Sequence, residues 1–297
     1  MWLLIAFLAP AFYALSNVLD NFLVNQKFKN PTTLAFYTSL FNLLFLPLVF
    51  IFFKPVMPSA AVFPILFLLG FINIIYLYPY YKGLQSDDTS IAISFFSLGR
   101  IFIPILAFFI VGEVLTLFQY VGIGLLILSS TLLSLRGWKE DFRFSKAFWY
   151  IGLAAFILSF EGVLIKYLFG QGVNLGTVLV GEGGTALLLA LLFLIPQRTR
   201  SDIIANVNIF RQMFPVFAAE ETFTFIAFVS ESYAIALASV SMAKSISMLT
   251  PFFLVFYARF LSKNLPGVFR EEIDGWAIAK KALLFAIMIV GVMLIRD

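Results

Sequence analysis

Ten stretches of about 20 mostly apolar residues constrain this chain more than any other feature of its sequence. A helix needs about 20 such residues to cross the hydrocarbon core of a bilayer. None of the stretches shows the period-two alternation of a membrane strand, and the short connections between them are rich in Pro, Gly, Asn and Lys. We therefore predict an all-α integral membrane protein with transmembrane helices at approximately 2–24, 32–53, 61–81, 90–111, 115–135, 147–169, 174–195, 212–236, 241–261 and 276–295.

The composition excludes several classes of function. Of the 297 residues, 62% are hydrophobic and only 12% are charged, about half the charged fraction of a soluble domain. Cysteine and histidine are both absent, which excludes disulfides, thiolate metal sites and imidazole proton relays. The net charge of +4 is modest for a membrane protein, whose basic residues gather in cytoplasmic loops. We expect no cofactor, no metal, no nucleic-acid partner and no enzymatic activity; the expected partners are the lipid bilayer and a small-molecule substrate, with protons as a further candidate.

The chain repeats itself at a constant offset. The segment "FPILFLLGFINIIYLYPYYKGL" from Phe63 aligns with "FPVFAAEETFTFIAFVSESYAI" from Phe214, 151 positions later, and "NVLDNFLV" resembles "GVLIKYLF". Five helices per half force the two halves into opposite orientations. We predict two inverted five-helix repeats, 1–137 and 147–297, joined by a linker at 138–146. Inverted repeats are typical of secondary transporters, which bind substrate near the midplane where the repeats meet.

The basic residues predict the orientation in the membrane. Most of the 20 lysines and arginines fall in the odd-numbered connections, whereas the side that carries both termini holds only Lys54, Lys166 and Arg296. The positive-inside rule then places the termini on the non-cytoplasmic side of the cell membrane.

The predicted span 212–236 carries three glutamates, which cannot face lipid. Each charged residue at the centre of a membrane helix costs about 2.5–3.5 kcal/mol on insertion scales. At about 100° per residue, Glu220, Thr224 and Glu231 fall along one stripe. The aligned stripe in the first half carries Asn73 and Tyr76. Glu221 points about 100° away from the stripe, which favours a pairing role with a neighbouring helix.

Polar residues concentrate on the first, third and fourth helices of each half. The candidates for binding substrate or protons are Glu220, Glu231, Lys244, Arg100, Asn73, Tyr76, Thr224, Asn17, Ser94, Ser97 and Ser245. The candidates for structural charge pairs are Glu221, Glu161, Lys166 and Glu182, the last because its helix is expected to be peripheral. Alternative roles stay open. The glutamates can instead pair with Lys244, Arg100 or Lys166 and connect helices, and the serines can serve as small residues for close helix packing.

The segment "YYKGLQSDDTSIAISFFSLGRIFIPILAFFIVGEVLTLFQYVGIGLLILSSTLL" carries the most specific resemblance. The "GL" that closes the third helix, the small-residue helix that follows, and Gly112-Glu113 before Thr116 and Gln119 resemble the EamA branch of the drug/metabolite transporter superfamily. The resemblance implies the DMT/EamA-like fold over essentially the whole chain, with the first, third and fourth helices of each half around a central pathway. The second half has Ser262-Lys263-Asn264 in place of Gly112-Glu113, so Glu113 is expected to act as a cap or hinge in one half only.

These observations favour a secondary active transporter that exports a small metabolite, such as an amino acid or organic compound, by alternating access. No Walker sequence is present, so direct use of ATP is not expected. Glu220 or Glu231 is the candidate for proton coupling, and Lys244 or Arg100 for binding a substrate carboxylate. The alternatives are a flippase for a lipid-linked sugar or other amphiphile, and a membrane-embedded enzyme acting on lipid. The oligomeric state is left as monomer or homodimer.

Overall fold

A computed structural model describes residues 2–86, 96, 98–134, 146–261 and 275–296. The described residues are helical, with no strand among them. We label the main helices α1 (Trp2–Lys27), α2 (Pro31–Phe53), α3 (Phe63–Ser86), α4 (Phe102–Val111), α5 (Leu117–Ser134), α6 (Lys146–Gly170), α7 (Leu175–Leu194), α8 (Val207–Leu237), α9 (Val240–Tyr257) and α10 (Gly275–Arg296).

Seven of the helices in the described part of the chain are long and apolar enough to cross a membrane, namely α1, α2, α3, α6, α7, α8 and α9. Two shorter apolar helices, Phe102–Val111 and Leu117–Leu133, accompany them. The all-helical membrane architecture is therefore confirmed, whereas ten crossings in two inverted repeats stay a prediction.

The connection between α7 and α8 contains structure that the sequence pattern missed. A short helix, Gln197–Ala205, lies where a loop is predicted, and α8 begins at Val207 rather than at 212. Asp202 in this short helix accepts hydrogen bonds from Asn30 and Thr33 at the start of α2. The Tyr37 hydroxyl donates to the carbonyl of Ile203 at 2.6 Å. The segment is too polar to be predicted as a transmembrane helix, and these contacts with α2 hold it against the helix bundle.

The surface and the interior are reversed relative to a soluble protein. Phe109 and Leu117 are each 76% exposed, as lipid-facing residues would be, whereas Glu231 is 2% exposed. Membrane helices carry charged residues toward the bundle interior because ionised groups are unfavourable in hydrocarbon. The described helices therefore enclose a polar interior.

Helix packing links the two ends of the chain. Helix α1 lies against α8, α3 lies against α6 and α7, and α5 lies against α10. Gly122 and Gly291 allow the last pair to approach closely, because a Cβ on Gly122 would lie 2.8 Å from the Gly291 carbonyl oxygen. Small residues at such crossings let membrane helices pack backbone to backbone.

The tight turn between α8 and α9 is held by charged side chains from two other segments. The Lys166 ammonium donates to the carbonyls of Ile235 and Ala238, at 2.9 and 2.6 Å. The Glu113 carboxylate accepts from the backbone N–H groups of Val240 and Ser241, at 2.8 and 3.1 Å. Each charge suits the helix end that it meets, since helix N-termini favour anions and C-termini favour cations. Glu113 is thus a cap, but for α9 rather than for its own segment.

The Gly112 backbone makes this cap possible. Helix α4 ends at Val111, and Gly112 adopts φ +69°, in the left-handed region that favours glycine. The N–H groups of Gly112 and Glu113 both donate to the Ala107 carbonyl. The chain turns sharply here, and Glu113 reaches the start of α9.

Candidate functional site

A cavity of about 210 Å³ lies between the helices and is lined from α1–α3, α4 with the residues just before it, and α6–α9. A buried water needs only about 10–15 Å³ on the same measure, so the space suits a small organic molecule. Helices α5 and α10 contribute no lining residue among those described. The charged residues on the described wall are Asp20, Glu161, Glu182, Glu220, Glu221, Glu231, Arg100 and Lys244.

The first charged group, which we call the Lys244 cluster, contains Lys244, Glu161, Glu231 and Arg100. The Lys244 ammonium donates to Glu161 at 3.0 Å and to Glu231 at 2.7 Å, and all three side chains are almost fully buried. Arg100 donates through Nη1 to the Lys244 carbonyl at 2.7 Å. Two acids and two bases lie together, so this cluster is balanced in formal charge.

Glu231 is the most heavily bonded member of the cluster. Besides Lys244, its carboxylate accepts from the Ser247 hydroxyl at 2.5 Å and the Tyr13 hydroxyl at 3.3 Å. These donors come from α9 and α1, so Glu231 connects three helices. Hydrogen bonds to a carboxylate are strong, so this many donors fix the Glu231 side chain in position.

Gly162 in α6 provides the space for the Lys244 side chain. A Cβ at this position would collide with Lys244 Cε and would lie 3.3 Å from Cγ. The lysine stem therefore passes across the face of α6 where the helix has no side chain. Glu161 then meets the ammonium from the adjacent position on the same helix.

The second charged group, which we call the acidic cluster, contains Asp20, Glu220 and Glu221. Glu220 and Glu221 lie side by side, and Asp20 is close to both. The three residues are 7%, 3% and 8% exposed. Asp20 Oδ1, Glu220 Oε2 and Glu221 Oε1 are buried and have no hydrogen-bond partner among the described residues. No described base pairs with any of the three.

Hydroxyl groups satisfy the other carboxylate oxygens of Asp20 and Glu220. Ser16 and Thr224 both donate to Glu220 Oε1, at 2.8 and 2.9 Å. The Tyr80 hydroxyl lies 3.1 Å from Asp20 Oδ2 and 3.2 Å from Asn17 Oδ1, and donates to this pair of acceptors. These neutral donors orient the carboxylates without neutralising their charge.

Glu182 is a fourth acid on the wall without a described base beside it. Its Oε1 accepts from Asn73 at 2.8 Å, and its Oε2 is buried and unpartnered. Helix α7 packs tightly on α3 here, since a Cβ on Gly70 would lie 2.7 Å from the Glu182 carbonyl. The two helices thus bring an amide and a carboxylate of the predicted set together.

Residues 1–135 match the EamA-like transporter family. Over these residues the resemblance inferred from the sequence is confirmed, and together with the apolar helices it supports a multi-pass membrane transporter. One crystal structure superposes on 99% of this chain and 96% of its own, with a TM-score of 0.64 at 16% identity, which shows a shared fold alone. No curated protein matches the chain.

Most of the residues predicted to bind substrate or protons lie on the cavity wall. The wall includes Glu220, Glu231, Lys244, Arg100, Asn73, Tyr76, Thr224 and Asn17. Ser245 does not line it, because its hydroxyl donates to the Met242 carbonyl within α9 at 2.7 Å. Ser94 and Ser97 lie outside the described residues.

The candidates for structural pairing are arranged differently from one another. Glu161 forms an ion pair with Lys244, as a strut would. Lys166 instead caps α8 through backbone carbonyls, and Glu182 meets an amide. Glu221 lines the same cavity as Glu220, although the two side chains start about 100° apart. The cavity extends around α8 toward Thr38 of α2, so both glutamates reach it.

Several wall residues were not among the predicted site. They include Asp20, Ser16, Thr38 and Ser247. Helical spacing contains a signal for two of them: Ser16 lies four residues before Asp20, and Ser247 three after Lys244. Helices α2 and α7 also line the cavity, although the sequence favoured only the first, third and fourth helices of each half.

Proposed function

We propose that this protein is a secondary active transporter that exports a small metabolite by alternating access through the central cavity. The observation that carries the proposal is a buried, charged cavity lined by helices from both halves of a chain whose first half is EamA-like. Substrate sites of such transporters lie between the two halves near the midplane.

An inverted repeat underlies this proposal. The offset similarity between the segments at Phe63 and Phe214 supports it. So does the packing, because the first helix of each half lies against the third helix of the other, as α1 against α8 and α6 against α3. In this arrangement the two halves close around one shared site.

Proton coupling is part of the proposal, with Glu220 preferred over Glu231. Glu231 is held by Lys244 and Ser247, and it has no free oxygen. Glu220 has one buried oxygen that no described residue contacts by a hydrogen bond, beside two further carboxylates. A proton shared among closely spaced acids relieves their repulsion and leaves when a substrate charge replaces it.

We also propose that both termini lie outside the cytoplasm. The natural chain contains no cysteine, so a single cysteine introduced at residue 297 can be labelled without background. A membrane-impermeant maleimide applied to intact cells should label it. Labelling that requires permeabilised cells would reverse the orientation.

The transport proposal is tested with purified protein in liposomes. Amino acids, amines, organic acids and a prenyl-linked sugar are each loaded, and their release is followed with and without a pH gradient. Release of a soluble compound that depends on the gradient is the expected result. Movement of only the prenyl-linked sugar would favour the flippase, and chemical conversion of any compound would favour an enzyme.

A further inference from the structure

We propose that the acidic cluster is a binding subsite for a protonated amine, so that the transported metabolite carries an ammonium group. The inference deepens the proposed transport function and rests on it for its biological meaning. Its physical basis is separate, because it concerns only which ligand charge the cavity accepts.

The first argument is the charge balance of the cavity. The described wall carries six acids and two bases. The two bases lie with Glu161 and Glu231 in the Lys244 cluster, which leaves Asp20, Glu182, Glu220 and Glu221 without a cation among the described residues. Isolated ionised carboxylates are strongly unfavourable away from water. A bound cation, which replaces the shared proton, compensates this charge where no described side chain does.

The second argument is the set of free acceptor atoms. Asp20 Oδ1, Glu220 Oε2 and Glu221 Oε1 are buried, unpartnered in the described structure, and belong to residues on one cavity wall. An alkylammonium group carries three N–H donors, the same geometry as the lysine side chain. The acidic cluster therefore offers as many unpartnered acceptors, among the described residues, as an ammonium group has donors.

The third argument is what surrounds these acceptors. Tyr76, Tyr80 and Phe96 lie on the same wall, with the Tyr76 and Tyr80 ring centroids 6.1 Å apart. Aromatic faces attract ammonium groups and also pack against their apolar carbons. No group of three or more acids among the described residues is arranged to hold a metal ion. The surroundings therefore favour an organic cation.

The Lys244 cluster argues against a simple anion as the ligand. Lys244 already donates to two carboxylates, so a substrate carboxylate would have to displace one of them. Arg100 is partly buried and uses Nη1 on the Lys244 carbonyl, which leaves other N–H groups of the guanidinium. A ligand carboxylate is accepted only as the second group of a zwitterion, with its ammonium in the acidic cluster.

The test uses four ligands with the same four-carbon skeleton: butylamine, butanol, butyrate and 2-aminobutyrate. Each is titrated into purified protein, and binding is followed by the shift of the thermal unfolding midpoint. Butylamine should raise the midpoint in a saturable way, and butanol and butyrate should not. A saturable shift with butyrate or butanol and none with butylamine would overturn the subsite.

Two variants locate the binding. Glu220→Gln and Asp20→Asn should each weaken butylamine binding by about tenfold or more, since hydrogen bonds to charged groups contribute about 1.5–3 kcal/mol. Asp202→Asn is the matched control, because Asp202 lies outside the cavity, and its binding should equal that of the unmodified protein. Unfolding midpoints without ligand show whether each variant is folded. Equal butylamine affinity in folded Glu220→Gln and Asp20→Asn would overturn the assignment.

Failure of this inference is distinct from failure of the transport proposal. If butylamine binds and the variants abolish binding, but liposomes release no amine, the subsite stands and transport is rejected. If liposomes release a neutral or acidic compound and amines do not bind, transport stands and the subsite is rejected. If 2-aminobutyrate binds more tightly than butylamine, the ammonium subsite stands with Arg100 as the second anchor.

Discussion

The Lys244 cluster and the acidic cluster share one cavity but use charge in opposite ways. In the first, Glu161 and Glu231 bind an ammonium that the chain itself provides, and Glu231 accepts from two hydroxyls besides. In the second, Asp20, Glu220 and Glu221 each retain a buried oxygen without a described partner. In the Lys244 cluster the protein itself balances the negative charge of the acids. In the acidic cluster a proton or a ligand must supply the balancing positive charge.

This difference gives a criterion for distinguishing structural acids from functional acids in a membrane interior. Both groups are buried to a similar degree, so burial does not distinguish them. The distinction is whether the protein supplies the compensating charge. Removing a member of the balanced group leaves an uncompensated charge behind, whereas removing a member of the acidic group reduces an existing excess.

The largest expected effect comes from Lys244→Met. The substitution removes the ammonium from between Glu161 and Glu231 and leaves both acids buried. Breaking a buried ion pair from one side costs about 3–5 kcal/mol in free energy of unfolding. The measurement is thermal or denaturant unfolding of the purified protein in detergent.

Glu220→Gln is the matched control from the acidic cluster. It replaces a buried charge that lacks a basic partner with a neutral amide of the same shape, so its unfolding midpoint should equal or exceed that of the unmodified protein. Equal destabilisation by Lys244→Met and Glu220→Gln would contradict the different roles assigned to the two clusters, because it would mean that both clusters are structural.

A smaller effect separates the two acids within the Lys244 cluster. Glu231→Gln weakens the interactions with Lys244, Ser247 and Tyr13, and should lower the free energy of unfolding by about 1.5–3 kcal/mol. Glu161→Gln weakens only the interaction with Lys244 and should have roughly half that effect. The comparison uses the same unfolding measurement, and a larger loss for Glu161→Gln would contradict the assigned network.

A further loss, within the range expected for Glu231→Gln, concerns the space beside Lys244. Gly162→Ala places a methyl group against the lysine stem, and overpacking of this kind costs about 1–3 kcal/mol. Gly152→Ala on the same helix is the matched control, because a Cβ there meets nothing within 4 Å. The control should be neutral or stabilising by up to about 1 kcal/mol, since alanine is the better helix former. Similar behaviour of the two variants would show that Lys244 does not need the Gly162 gap.

Sequence patterns predicted much of the fold and of the cavity wall. Long apolar runs have few alternatives to membrane helices, because the backbone must satisfy its own hydrogen bonds in lipid. Helical spacing placed Glu220, Thr224 and Glu231 on one stripe, and all three line the cavity. The short helix Gln197–Ala205 escaped prediction because contacts with α2 hold it, and no local pattern contains them.

The sequence alone determined that charged residues must lie inside the bundle, since the insertion energies leave no lipid-facing solution. It did not determine which acids are compensated. Only the tertiary structure brings Lys244 to Glu161, 83 positions away, while it places Glu220 and Glu221 beside Asp20 with no base from the described part of the chain. The physical reason is that helical periodicity fixes which face a residue occupies, whereas the partner that reaches this face is set by the packing of helices distant in the chain.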